Sequence, residues 1–178
     1  MIKLIIGAIV AVFVVIGGFM MMDPNIQGTQ ESTEVQEKNL YTIEGEVAKP
    51  GTYSLDENIT MLELITAAGG ITSNADELAY FENATLSLGN SYYIASKYDA
   101  SDVCNNQEIV KVNINSDTVE EMKTINGITN TIAESIVSYR TEKGVISTLE
   151  ELLDVYGIGN ATYKKIRNYI TLHEWNYY

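Results

Sequence analysis

The sequence predicts an α+β multidomain chain: an N-terminal transmembrane helix, a small α+β unit, and a C-terminal all-α domain made of two like helical hairpins. Three observations carry this. Leu4 to Met22 is a run of 19 uncharged, mostly apolar residues. Tyr41, Ile43, Gly45 and Val47 alternate with Thr42, Glu44 and Glu46, as in a half-buried strand. A shift of 30 residues lays Thr118-Val119-Glu120-Glu121-Met122 on Thr148-Leu149-Glu150-Glu151-Leu152, and 8 of the 24 positions from 117 to 140 are identical at that offset. Unrelated segments share roughly one or two at ordinary residue frequencies.

At 1.5 Å per residue the apolar run is long enough to cross a bilayer core. Lys3 precedes it and Asp23 follows it, which favours an inside N-terminus and the rest of the chain outside. A cleaved signal peptide has a shorter apolar core and ends in small residues, whereas this run ends in Phe19-Met20-Met21-Met22. An uncleaved anchor over residues 1–22 is therefore expected. Residues 23–39 are polar and acidic and read as a disordered tether, with a reach of roughly 50 Å when fully extended.

The unit at 40–95 follows from local signals. Lys49-Pro50-Gly51-Thr52 is a turn, and Thr52-Tyr53-Ser54-Leu55 is the returning strand of a hairpin. Thr60 and Glu63 have capping-box spacing, and Met61, Leu64, Ile65 and Ala68 keep helical spacing up to Gly69-Gly70. Ser91 to Ala95 is a further strand. Residues 96–110 are polar, lack periodicity, and read as a linker that lets its neighbours move independently.

Net charge is −13, from 11 basic and 24 acidic residues, and taken whole that opposes binding to a polyanion. The charge is uneven. Residues 24–110 hold 3 basic and 14 acidic residues (net −11), while 111–178 hold 7 and 9 (net −2). One cysteine, Cys104, and one histidine, His173, exclude an intrachain disulfide and a cysteine-rich metal site. No His-Cys, Ser-His-Asp or H-E-x-x-H arrangement is present, so no enzyme, cofactor or metal is expected.

In the domain at 111–178 each repeat reads as short helix, glycine turn, longer helix. Ser116 or Asp117 is placed to cap the first short helix, and Thr148 with Glu151 its counterpart. Val119 and Met122, then Leu149 and Leu152, face the core. Ile128 and Ile158 plug it beneath the turns. Ile132, Ala133, Ile136, Val137 and Tyr139 line one longer helix, and Ile166, Tyr169 and Ile170 the other. A glycine turn opening a helix presents free backbone N–H groups at the positive end of the helix dipole. A phosphate can sit there with no base being read. Two such ends would meet both strands of a duplex across a groove.

Two resemblances follow. Gly45-Glu46-Val47, Pro50-Gly51-x-Tyr53, Ala67-Ala68-Gly69-Gly70-Ile71-Thr72 and the run from Leu88 to Ile94 resemble the soluble-ligand-binding β-grasp (SLBB) domain. That likeness implies sugar binding or self-association, and the residues do not choose between them. Val112-Asn113-Ile114-Asn115, Gly127-Ile128, Ala133, Ile136, Tyr139-Arg140, Gly144, Leu149-Glu150-Glu151-Leu152 and Gly157-Ile158-Gly159 resemble the helix-hairpin-helix motif. More narrowly they resemble the tandem domain of the ComEA family of competence DNA receptors. The order of anchor, tether, β-grasp domain and tandem hairpins matches that family too. The resemblance implies sequence-independent binding of duplex DNA at the cell surface and handover to DNA-transport channel proteins.

The expected DNA contacts are Gly127, Ile128, Thr129 and Asn130 in the first hairpin, Gly157, Ile158, Gly159 and Asn160 in the second, and Lys164, Lys165 and Arg167 beyond it. The sequence departs from the family pattern at Thr129, where the second turn glycine is replaced by a residue that resists positive φ. Thr131 and Ala161 stand where the family often has lysine. The counterparts of Lys164, Lys165 and Arg167 in the first repeat are Glu134, Ser135 and Val137, so the second hairpin is expected to dominate. Lys111, Lys123, Arg140 and Lys143 are expected to add to the field. His173, Trp175, Tyr177 and Tyr178 form an aromatic tail that packs on the last helix or stacks on a partner. The competing readings are a surface polysaccharide-binding protein and an oligomeric scaffold, both led by the β-grasp domain.

Overall fold

Tyr41 and Ile43 point into the first core and are fully buried, while their neighbours on strand β1 (Leu40–Gly45) face outward. The computed structural model describes residues 39–99 and 108–174. β1 pairs antiparallel with β2 (Gly51–Ser54), and Thr42 lies opposite Thr52 with the two hydroxyls 2.9 Å apart. On its other side β1 pairs in parallel with β3 (Ser91–Ile94), placing Ile43 beside Tyr92, so the sheet order is β2-β1-β3. Helix α1 (Met61–Ala67) begins at the predicted box: the Glu63 amide donates to the Thr60 hydroxyl at 3.3 Å, and the Thr60 amide to the Glu63 carboxylate at 2.7 Å. The Thr60 amide, together with the Thr60 hydroxyl that donates to the same carboxylate at 2.9 Å, holds the Glu63 carboxyl below its usual range. Met61, Leu64 and Ile65 of α1 pack with Tyr80, Leu86 and the sheet residues Tyr41, Ile43 and Ile94 in one core.

The C-terminal half contains α2 (Val119–Met122), α3 (Asn130–Lys143), a 3-10 turn (Leu149–Asp154), α4 (Asn160–Ile166) and a 3-10 turn (Arg167–Tyr169). Met122, Ile136, Ile146, Leu149, Leu152 and Ile166 form one shared core, as the repeat requires. Two local expectations change. The cap of α2 is Thr118, whose hydroxyl and Glu121 complete a capping box; Asp117 instead turns back to accept the Asn113 amide at 2.8 Å. The last helix stops at Ile166 rather than running through Ile170. Ile170–Thr171 is strand β5, parallel to β4 (Val112–Asn113). Asn115 is the reason. Its amide nitrogen donates to the carbonyls of Ile146 (2.9 Å) and Leu172 (2.8 Å), and its oxygen accepts from the Ile146 amide (2.9 Å). Those bonds hold residue 172 beside the entry segment, so the chain leaves the helix.

The expected anchor at 1–22 lies outside the described residues, as do the tether up to Lys38, Cys104, Trp175, Tyr177 and Tyr178. Among the described residues no helix is long and apolar enough to cross a membrane. His173 does not pack on the last helix. Its ring stacks on Phe81, centroids 4.8 Å apart, and its Nε2 donates to the Tyr80 carbonyl at 3.0 Å.

The two halves are packed against each other; residues Lys38–Tyr178 form one compact unit. The Lys111 ammonium lies 2.5 Å from the Asp76 carboxylate, with the two side chains 8% and 9% exposed, and also donates to the Ser96 carbonyl at 2.7 Å. Burial pushes the Lys111 amine down and Asp76 opposes that shift. The Leu172 amide donates to the Leu78 carbonyl at 2.8 Å. Ala79 and Ala95 of the β-grasp half belong to the hairpin core. Glu150, from the second repeat, accepts the Tyr93 amide of β3 and the Tyr163 hydroxyl on one carboxylate oxygen, both at 2.7 Å. Its other oxygen is buried without a hydrogen-bond partner. Burial pushes this carboxyl up to about 7, against the pull of its two hydrogen bonds and of Arg167.

Two outcomes are expected. Lys111→Ala strands the buried Asp76 carboxylate and should lower the unfolding free energy of residues 38–178 by about 3–5 kcal/mol, with both halves still melting together. Urea unfolding followed by two probes tests it; two separate transitions would show that the halves fold apart. The Glu150 carboxyl has a folded value above its ordinary 4.5, so the native state holds the proton more tightly. Its contribution to stability is full below pH 4.5 and is lost as pH rises through about 7. Glu150→Gln keeps an acceptor for Tyr93 and Tyr163 and should flatten the fall in Tm between those values. An unchanged pH profile would place the proton elsewhere.

Candidate nucleic-acid interface

Both hairpins are built by the same hydrogen bonds, 30 residues apart. The Ile128 amide donates to the Ile125 carbonyl at 3.0 Å and the Ile158 amide to the Val155 carbonyl at 3.1 Å. The Ala133 amide donates to Thr129 and the Tyr163 amide to Gly159, both at 2.9 Å, opening α3 and α4. Gly127 (φ +118) and Gly157 (φ +90) take the left-handed turn that a side chain resists. Each also faces the other repeat. A Cβ on Gly127 would meet Ile166 Cγ2 at 2.9 Å, and one on Gly157 would meet Ile132 Cγ1 at 3.3 Å. The hairpins therefore interlock. Ile128 and Ile158 are buried and offer only backbone, while Thr129, Asn130, Gly159 and Asn160 are exposed.

Thr129 is not the departure its sequence position suggests. It sits at φ −82 and ψ 168, ordinary extended backbone, as does Gly159 at φ −97 and ψ 175. Thr129 is the N-cap of α3, and its hydroxyl accepts the Ile132 amide at 3.3 Å. The turn needs glycine at its first position, and at its second a threonine cap is favourable. The difference between the hairpins is that one of the α3 amides is already capped, whereas Gly159 gives α4 no side-chain cap.

The basic residues separate into two groups. Arg167 was expected beside Lys164 and Lys165, but it is turned to the β-grasp half. Its guanidinium lies 3.4 Å from the Tyr93 ring centroid and 3.9 Å from the Glu44 carboxylate, and its side chain is 20% exposed. Neighbouring Asn168 accepts from the Tyr93 hydroxyl at 3.0 Å. Arg140 is directed inward, donating to the carbonyls of Ile114 (2.7 Å) and Asp117 (2.8 Å), and Lys111 is buried and paired with Asp76, so Lys111 adds nothing to a surface field. Lys123, Lys143, Lys164 and Lys165 are exposed. Lys165 reaches across to the first hairpin, where its ammonium donates to the Asn126 side-chain oxygen at 2.8 Å.

Lys164 and Asn160 border a cleft of about 540 Å³ between the halves, with Glu44, Asn90, Glu151 and Asp154 also on its walls. Among the described residues no cluster of His, Cys, Asp or Glu could hold a metal ion. Sequence reasoning passed over Asn126, Asn168 and Tyr156, the last 81% exposed beside the second turn. The 30-residue shift sets Asn126 opposite Tyr156, which is the sequence signal that bears on them; Asn168 has none.

The helix-hairpin-helix motif family matches residues 107–171, and the SLBB domain family matches residues 40–81. Human endonuclease/exonuclease/phosphatase family domain-containing protein 1 is 34% identical over 80 residues, 45% of this chain but 14% of that protein. An uncharacterized protein of Haemophilus influenzae is 46% identical over 61 residues, 34% of this chain and 54% of the relative. ComE operon protein 1 of Bacillus subtilis is 32% identical over 148 residues, which is 78% of this chain and 72% of the relative. With both domain types present in that order and a likeness running along most of both chains, this chain belongs to the ComEA family.

Proposed function

We propose that this protein is a membrane-anchored receptor that binds double-stranded DNA without sequence preference, for DNA uptake in natural transformation. The observation that carries the reading is the pair of interlocked hairpins, alike in hydrogen bonding and each ending in a helix N-terminus. Helix-end amides and the helix dipole suit phosphate and read no base. The Ile128 and Ile158 amides are spent on the turns, so residues 127, 129 and 130 and residues 157, 159 and 160 supply these amides, and Lys164 and Lys165 supply charge. Leu4 to Met22 is the proposed single-pass anchor, with the folded unit outside the cell and DNA-transport channel proteins as its downstream partners. In this reading the β-grasp half is an accessory, and its own ligand or self-association is a separate matter.

The second reading, a polysaccharide-binding or scaffold protein, draws on one observation: Lys111, Arg140 and Arg167 are all engaged within the fold. Salt dependence separates the two. Residues 38–178 should bind unrelated short duplexes alike by fluorescence anisotropy, with a log K against log salt slope of about −2 to −4 for two to four phosphates. Lys164→Ala should make that slope shallower by about 0.9. Gly157→Val, strained at its positive φ, should weaken binding at every salt concentration. Absence of binding at low salt, or binding indifferent to salt, would sink the receptor reading.

A further inference from the structure

The first hairpin has no lysine in the opening turns of its own second helix, where Thr131, Glu134 and Ser135 stand. A lysine is nonetheless present beside its turn. Lys165 belongs to α4 of the second repeat, 39 positions further on, and its ammonium donates to Asn126 at 2.8 Å. Its methylenes run along the same turn: a Cβ on Gly127 would meet Lys165 Cδ at 3.2 Å and Cε at 3.6 Å. Asn126 is the residue immediately before that glycine. Tyr156, its counterpart in the second repeat, has no amide to offer.

The partner matters as much as the position. Lys111 and Arg167 are each set against a carboxylate, Asp76 and Glu44. Among the described residues Lys165 forms no ion pair, and the group that orients it is a neutral amide. An amide oxygen fixes the direction of an ammonium without cancelling its charge. It takes one of three N–H donors and leaves two for a phosphate. A free lysine side chain would lose rotamer entropy on binding, and pre-orientation lowers that cost.

We propose that Asn126 is a positioning residue that holds Lys165 at the first hairpin, so that the phosphate of one repeat is met by a cation from the other. The proposal rests on the DNA-binding reading above. It makes α4 serve both hairpins, and it makes the first hairpin a full participant rather than a structural remnant.

The test is DNA binding by residues 38–178 across a salt series, for the wild type and for N126A, N126D, K165A and N126A/K165A. Both side chains are exposed, so the fold should survive, and thermal unfolding checks that it does. K165A should make the salt slope shallower by about 0.9. N126A should bind about threefold more weakly, the effect of one modest hydrogen bond, with the slope kept. N126D should be worse than N126A and should lose slope as K165A does, because a carboxylate pairs with Lys165 and neutralises it. The double variant should be no weaker than K165A. Additive losses in the double variant, or equal behaviour of N126D and N126A, would overturn the proposal while leaving the receptor reading intact. A wild type that does not bind DNA would remove both.

Discussion

Buried charge where the β-grasp half meets the hairpins constrains what the surface has left. Lys111 and Asp76 are held out of water together, and Glu150 has one oxygen bonded and the other unpartnered. Desolvating such groups costs several kcal/mol each unless their partners are in place. Each half therefore supplies what the other would lack. Tyr93 illustrates it: its amide needs Glu150, its hydroxyl needs Asn168, and its ring carries Arg167. The hairpin domain is thus joined to an acidic neighbour by contacts that engage its own basic residues.

The sequence made the local structure legible because local structure is written in short spacings. Thr60 with Glu63, the alternation at Tyr41 and Ile43, and the 30-residue repeat are patterns that a chain declares within a few turns. What it did not declare were contacts over long separations. Arg167 meets Tyr93 across 74 positions and Lys111 meets Asp76 across 35, and no periodicity records either. A linker reading of residues 96–110 follows from polarity, yet Ser96 at its start and Lys111 just beyond its end are drawn into the seam by tertiary bonds. Thr129 was misread for a different reason. The glycine pattern suggests positive φ at both turn positions, while the backbone adopts it only at Gly127 and Gly157. The two hairpin turns were thus legible in the sequence, and the directions of the basic side chains around them were not.

A nearly neutral domain on a chain of net charge −13 can still favour a polyanion because formal charge omits the amides. Each helix N-terminus carries roughly half an elementary charge directed at its ligand. Acidic groups further off are screened beyond about 8 Å at physiological ionic strength, whereas an amide in contact with a phosphate is not. Short-range geometry then outweighs the long-range sum, provided that the acidic half is held to one side. The seam does that.

Position relative to the seam also distinguishes two lysines that are neighbours in sequence. Lys164 borders the cleft that Glu44, Glu151 and Asp154 share, so its field is diluted by carboxylates on both halves. Lys165, one residue on, is directed to the other repeat and rests on a neutral amide. Three cations beside one hairpin suggested from the sequence that the second repeat leads. In the folded chain one of the three is spent on Tyr93 and Glu44, one stands among acids, and the third serves the first turn. Where the charge acts is decided by which side chain each lysine or arginine reaches, and that places the two hairpins on a more equal footing than their sequences do.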